Sequence, residues 1–87
     1  MEENEVLRLL MDASRSFEGY SVQRFTMYRE TKSGSTQRVD VEVLDAGEGE
    51  ANRYSIHARS DDGKTASGNP DKTLSVAIAL VHWGNLG

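Results

Sequence analysis

Residues 69–83, NPDKTLSVAIALVHW, place the tightest constraint on how this chain can fold, because they form its most apolar and best-punctuated stretch. Asn69 can cap a helix. Pro70 suits the first helical position, where a missing N–H goes unnoticed, and Asp71 suits the positive end of the dipole. Beyond them, Leu74, Ala77, Ile78 and Val81 form one apolar stripe, which Val76, Leu80 and Trp83 widen. A strand would also tolerate the alternation of Leu74, Val76, Ile78 and Leu80. Yet Ala77 and Ala79 favour helix, and Gly84 supplies a stop. A helix apolar on so many sides must be covered by the rest of a small protein.

Upstream, Val6, Leu9, Leu10, Ala13 and Phe17 recur at helical spacing, with Glu5, Arg8, Asp12 and Arg15 opposite. This predicts a first helix from about residue 3 or 4 to residue 15, ended by Gly19 and packed through that apolar face. The period then changes to two. Residues 22–31 read as a strand with Phe25 and Met27 inward. Residues 32–35 read as a hairpin connection, and residues 37–44 as a second strand with Val39, Val41 and Val43 inward. After an acidic loop, DAGEGEAN, residues 53–60 read as a third strand burying Tyr54, Ile56 and Ala58. The expected fold is α+β, a two-layer sandwich of a three-stranded antiparallel meander with two helices on one face, in the order α-β-β-β-α. The 87 residues make one domain.

That order resembles the double-stranded-RNA-binding domain along nearly the whole chain. The alternating run Val39-Asp40-Val41-Glu42-Val43 is similar to the family's second strand, and Gly68 and Ala77 are similar to its last loop and helix. The resemblance implies the fold and, as an activity, contact with duplex RNA through phosphates and the minor groove. Two departures weigh against that activity. Where the family opens its last helix with a lysine cluster, this chain has Asn69-Pro70-Asp71-Lys72-Thr73. Where the family's first strand connection carries a Gly-Pro and a histidine, it has Lys32-Ser33-Gly34-Ser35-Thr36.

Charge points the same way. Fourteen acidic residues against ten Lys and Arg leave a net charge of −4, which opposes non-specific adhesion to nucleic acid or an anionic membrane. With no cysteine there is neither a disulfide framework nor a thiolate metal site, and no apolar run approaches the ~20 residues of a membrane span. A cytoplasmic protein that does not engage membranes is the expectation.

The motifs that carry chemistry are sparse. Gly63-Lys64-Thr65 matches the end of a phosphate-binding loop, but Ala58 stands where its first glycine belongs, so a turn explains it. His57 and His82 have no second ligand at helical spacing, and no nucleophile elbow surrounds any serine. Neither metal, cofactor nor catalysis is expected. Two interaction readings remain. One is a non-catalytic protein-binding module, with a protein partner or a homodimer contacting Val76, Leu80 and Trp83, the apolar excess of the last helix. The alternative is duplex RNA, held by Lys32, Lys64, Ser67 and Lys72 around the strand 1–2 loop and last helix start, and by Arg38, Arg53 and Arg59 on the open sheet face.

Overall fold

In a computed structural model, which describes residues 3–87, the chain forms a helix α1 (Glu3–Ser14), four strands and a short helix α2 (Leu74–Ala79), closing on a 3₁₀ turn (Trp83–Leu86). The strands β1 (Ser21–Glu30), β2 (Thr36–Asp45), β3 (Tyr54–Ser60) and β4 (Thr65–Ser67) make an antiparallel sheet in the order β1-β2-β3-β4. The mixed α+β class and the meander agree with the sequence; the strand count does not.

The additional strand is β4. Thr65-Ala66-Ser67 pairs with Arg59, Ala58 and His57 of β3, and Ala66 is buried against the core. Three polar-flanked residues carry too little alternation to announce a strand. What builds it is the turn before it. Gly63 sits at φ +86°, and its N–H bonds the Ser60 carbonyl, while the Ser60 N–H donates to the Lys64 carbonyl and the Lys64 N–H to the Ser60 hydroxyl, which reverses the chain. A positive φ comes without steric cost at glycine. The Gly-Lys-Thr run is therefore a hairpin turn.

The last helix is also shorter than expected. Asn69 and Pro70 lie in a loop, and Asp71 forms an isolated bridge with Tyr54, exchanging two backbone hydrogen bonds of 2.9 and 3.1 Å. That bridge holds the would-be first turn extended. The Asp71 carboxylate instead accepts the Thr73 N–H at 2.8 Å, and the helix runs for only six residues from Leu74. The Leu80 carbonyl lies beside Gly68, where a Cβ would meet it at 2.3 Å, and the His82 N–H bonds the Ser67 carbonyl. This close approach ties the segment after α2 to β4.

The core follows from this placement. Val39 and Val41 of β2, Ile56 and Ala58 of β3, Ala66 of β4, and Ala77, Val81 and Leu86 from the covering segment are all buried. Buried Gln37 donates from Nε2 to the Leu86 carbonyl at 2.7 Å and accepts from Arg29 at 2.8 Å, while Arg29 also reaches the Gly87 carbonyl. Such partners make burial of a polar amide tolerable. The covering layer thus lies over β3 and β4, and its last residues cross to one end of β2 and β1.

Helix α1 departs furthest from expectation. It begins and ends where the sequence predicts, yet none of its residues is buried. Its C-terminus closes before Gly19: the Ser16 N–H reaches the Met11 carbonyl and the Arg15 N–H the Asp12 carbonyl, with Arg15 at φ +55°. These two bonds form a Schellman cap with a non-glycine residue in the left-handed position. The chain then doubles back so that Leu7 and Met11 rest on Gly19. The stripe expected to pack, Val6, Leu9, Leu10, Ala13 and Phe17, faces the opposite way and is exposed. The sandwich with two helices side by side on one face is not seen; α1 meets the sheet chiefly at β1, and Asn4 bonds the Asp45 carboxylate at the end of β2.

Candidate functional site: an apolar groove beside the last helix

Along β1 and β2 the register places Phe25 beside Val41, Met27 beside Val39 and Gln23 beside Val43, with Ile56 next to Val43 on β3. Alternation puts all of these on the face that carries the core. Because α2 and the 3₁₀ turn lie over β3 and β4 and reach β2 and β1 only at their Gln37 and Arg29 end, the rest of the β1 side of that face is open. Phe25 stays 51% exposed and Met27 40%. Leu74 and Ile78, one helical turn apart on α2, form the opposite wall, and Trp83 closes it. The result is an apolar groove of about 480 Å³.

The groove is built firmly. Its floor is the best-paired part of the sheet, and the Trp83 indole N–H donates to the Ile78 carbonyl at 3.1 Å, which fixes the ring against α2. Arg29 stands at one end, held by Gln37 and Gly87. Gln23 and Tyr28 add polar groups at the groove's margin, and the remaining lining is apolar. A contiguous apolar channel of this kind is a surface on which burial of further apolar groups is favourable. Among the described residues no group of three His, Cys, Asp or Glu side chains comes together to hold a metal. No described helix is long and apolar enough to cross a membrane.

The three interface candidates of the last helix separate. Trp83 lines the groove, whereas Val76 and Leu80, each 42% exposed, lie on the other side of α2. The groove residues Phe25, Met27, Val41, Val43 and Ile56 were legible only as core. Their one signal was an imbalance, a whole strand face of apolar residues whose cover had to be supplied by α1.

The cationic candidates fall elsewhere. Lys32 is exposed in the β1–β2 connection, and Lys72 is exposed in the loop before α2. Lys64, in the β3–β4 turn, lies 3.8 Å from Asp62, while Ser67 on β4 pairs with His57 on the outer face. Arg38 binds Asp40 at 3.1 Å, and Arg59 pairs in register with Asp40 and Thr65. Arg53 sits at the far end of β3, bonded to Asp45 at 2.8 and 3.1 Å and stacked 4.9 Å from the Tyr54 ring centre. On the outer face Arg24 also meets Glu42, at 3.2 Å. These pairs show in the acids. The Thr26 hydroxyl, then Arg38, holds the Asp40 carboxyl below its usual range. Arg53, helped by the Gly47 N–H, lowers Asp45, and the Ser60 hydroxyl lowers Asp62. The outer face is wet and of mixed sign.

Set against family models, curated proteins and solved structures, the chain matches none.

Proposed function

We propose that this protein is a non-catalytic protein-binding module whose groove receives one apolar face of an amphipathic helix. The observation that carries the reading is the half-exposed Phe25 and Met27 facing Leu74, Ile78 and Trp83 across an open channel on the core side of the sheet. Helices dock in such grooves through side chains at i, i+3 or i+4 and i+7, driven by apolar burial. The α-β-β-β-α likeness to the RNA-binding domain enters as a likeness of element order. Against RNA as the ligand stand Asp40, Asp45, Asp62 and Glu42, each within salt-bridge distance of an arginine or lysine that would be needed for phosphate.

The test uses the chain's single tryptophan. At low micromolar protein, a 14-residue helical peptide with leucines at i, i+3, i+4 and i+7 is titrated while Trp83 emission is followed. Saturable blue-shifting, lost in Phe25→Asp, is the expected result. Unchanged emission up to about 1 mM peptide, the weak limit of specific binding, would overturn the reading. Saturable binding of duplex RNA at ~50 mM salt, where phosphate contacts are strongest, would replace it.

A further inference from the structure

Two apolar surfaces of this chain lack a cover, and they are complementary in kind. One is the groove. The other is the outward stripe of α1, where Leu10 is 61% exposed, Leu9 49%, Val6 39% and the trailing Phe17 96%. The stripe is not free to serve the groove of its own chain without cost, because the opposite side of α1 is engaged through Leu7 and Met11 on Gly19. Turning the helix onto its own sheet would lift those two residues from their contact.

We infer that the groove is filled by α1 of a second copy, giving a two-fold dimer in which each chain lends its first helix to the other. The inference rests on the helix-receiving reading of the groove and names its occupant. Three comparisons carry it. The lengths agree: twelve helical residues span ~18 Å, and the β1 run from Gln23 to Arg29 spans ~20 Å. The chemistry agrees, since the stripe offers Val6, Leu9, Leu10 and Ala13 on one side of two helical turns, which is the spacing a groove accepts. The area agrees as well. At roughly 150–200 Å² of accessible surface for a large apolar residue, the exposed fractions of stripe and groove come to roughly 700–800 Å² per protomer, close to the ~800 Å² each partner gives to a standard stable interface. Neither surface reaches that area alone. Only a reciprocal exchange uses both, and a two-fold axis makes it reciprocal by necessity, because residue i meeting residue j requires j to meet i.

Sedimentation velocity on the full chain, from about 1 to 200 µM, tests the inference, with Trp83 emission recorded alongside. Wild type should pass from monomer to dimer and its emission should shift to the blue over the same range. Leu10→Asp or Phe17→Asp on the helix, and Phe25→Asp or Ile78→Asp in the groove, should each raise the dissociation constant at least ~30-fold, since every substitution strikes both halves of a symmetric interface. All four side chains are substantially exposed, and circular dichroism verifies that each variant keeps its fold. Mixing Leu10→Asp with Phe25→Lys should give a heterodimer tighter than either variant's homodimer, because one helix–groove contact is then wild type and the other sets a carboxylate against an ammonium. Wild type that stays monomeric at 200 µM overturns the inference, as does a dimer indifferent to both classes of variant or a mixture that fails to associate. The helix-receiving reading survives those failures if the leucine peptide still shifts Trp83 in the monomer, and it falls separately if the peptide does not.

Discussion

Gly68 shows how one residue without a side chain determines where the covering layer lies. A Cβ there would stand 2.3 Å from the Leu80 carbonyl oxygen and 2.8 Å from the Val81 nitrogen, and backbone cannot yield as a flexible side chain does. Gly68→Ala therefore forces the segment after α2 away from β4, at an expected cost of 1–3 kcal/mol, about that of overpacking a core, read as a lower midpoint in urea. Gly63 and Gly34 serve differently, by supplying the positive φ of the two short turns. Asp45 ties its own loop. Its carboxylate takes two bonds from Arg53 and one from the Gly47 N–H, so its folded pKa lies below the unfolded value. A depressed carboxyl contributes stability above its unfolded pKa of ~3.9 and loses it as pH falls through the folded value. Stability should hold on the neutral side and decline below about pH 4. Asp45→Asn should both lower stability at neutral pH and flatten the acid decline in denaturation curves.

Among the elements, the hairpin of β2 and β3 and the helix α1 stand at opposite extremes. β2 and β3 carry Val39, Val41, Ile56 and Ala58, all buried, whereas α1 contributes no buried residue and its cap places Arg15 in a conformation that disfavours non-glycine residues. An isolated helix of twelve residues is marginal in water, because its nucleation cost is repaid only over longer runs or by packing. Hydrogen exchange in dilute protein should accordingly find the β2 and β3 amides at least ~100-fold better protected than those of α1, since local opening follows local burial. Raising the concentration should slow exchange in α1 and leave β2 and β3 little changed, as expected of a helix covered only by another chain. Equal protection of α1 and β2 in dilute protein would contradict the division. The short helix α2 depends on tertiary contact too: Ala77 and Val81 anchor it, and the extended Asp71 bridge decides where it starts.

At the scale of the whole molecule, the placement of α1 sets the shape. The chain measures 48 × 21 × 20 Å, with a radius of gyration of 15.0 Å. A compact chain of 87 residues would have a radius of about 12 Å. The excess goes with a helix that contributes no buried residue and with a sheet face left open beside β1. Periodicity in the sequence determined much of what is local: the first helix, the three long strands with their inward valines, and the mixed-sign outer face. Those features follow from side-chain spacing along a few residues, which the chain carries wherever it is placed. It could not determine β4, the extended start of the last segment, or that the α1 stripe stays uncovered within its own chain. Ala66 becomes a strand residue only because Ala58 lies beside it, and Asp71 stays extended only because Tyr54 pairs with it. An amphipathic pattern states that a face needs burying; it does not state against what. Tertiary structure alone decided that, by laying the covering segment over β3 and β4 and leaving Phe25, Met27 and the α1 stripe uncovered.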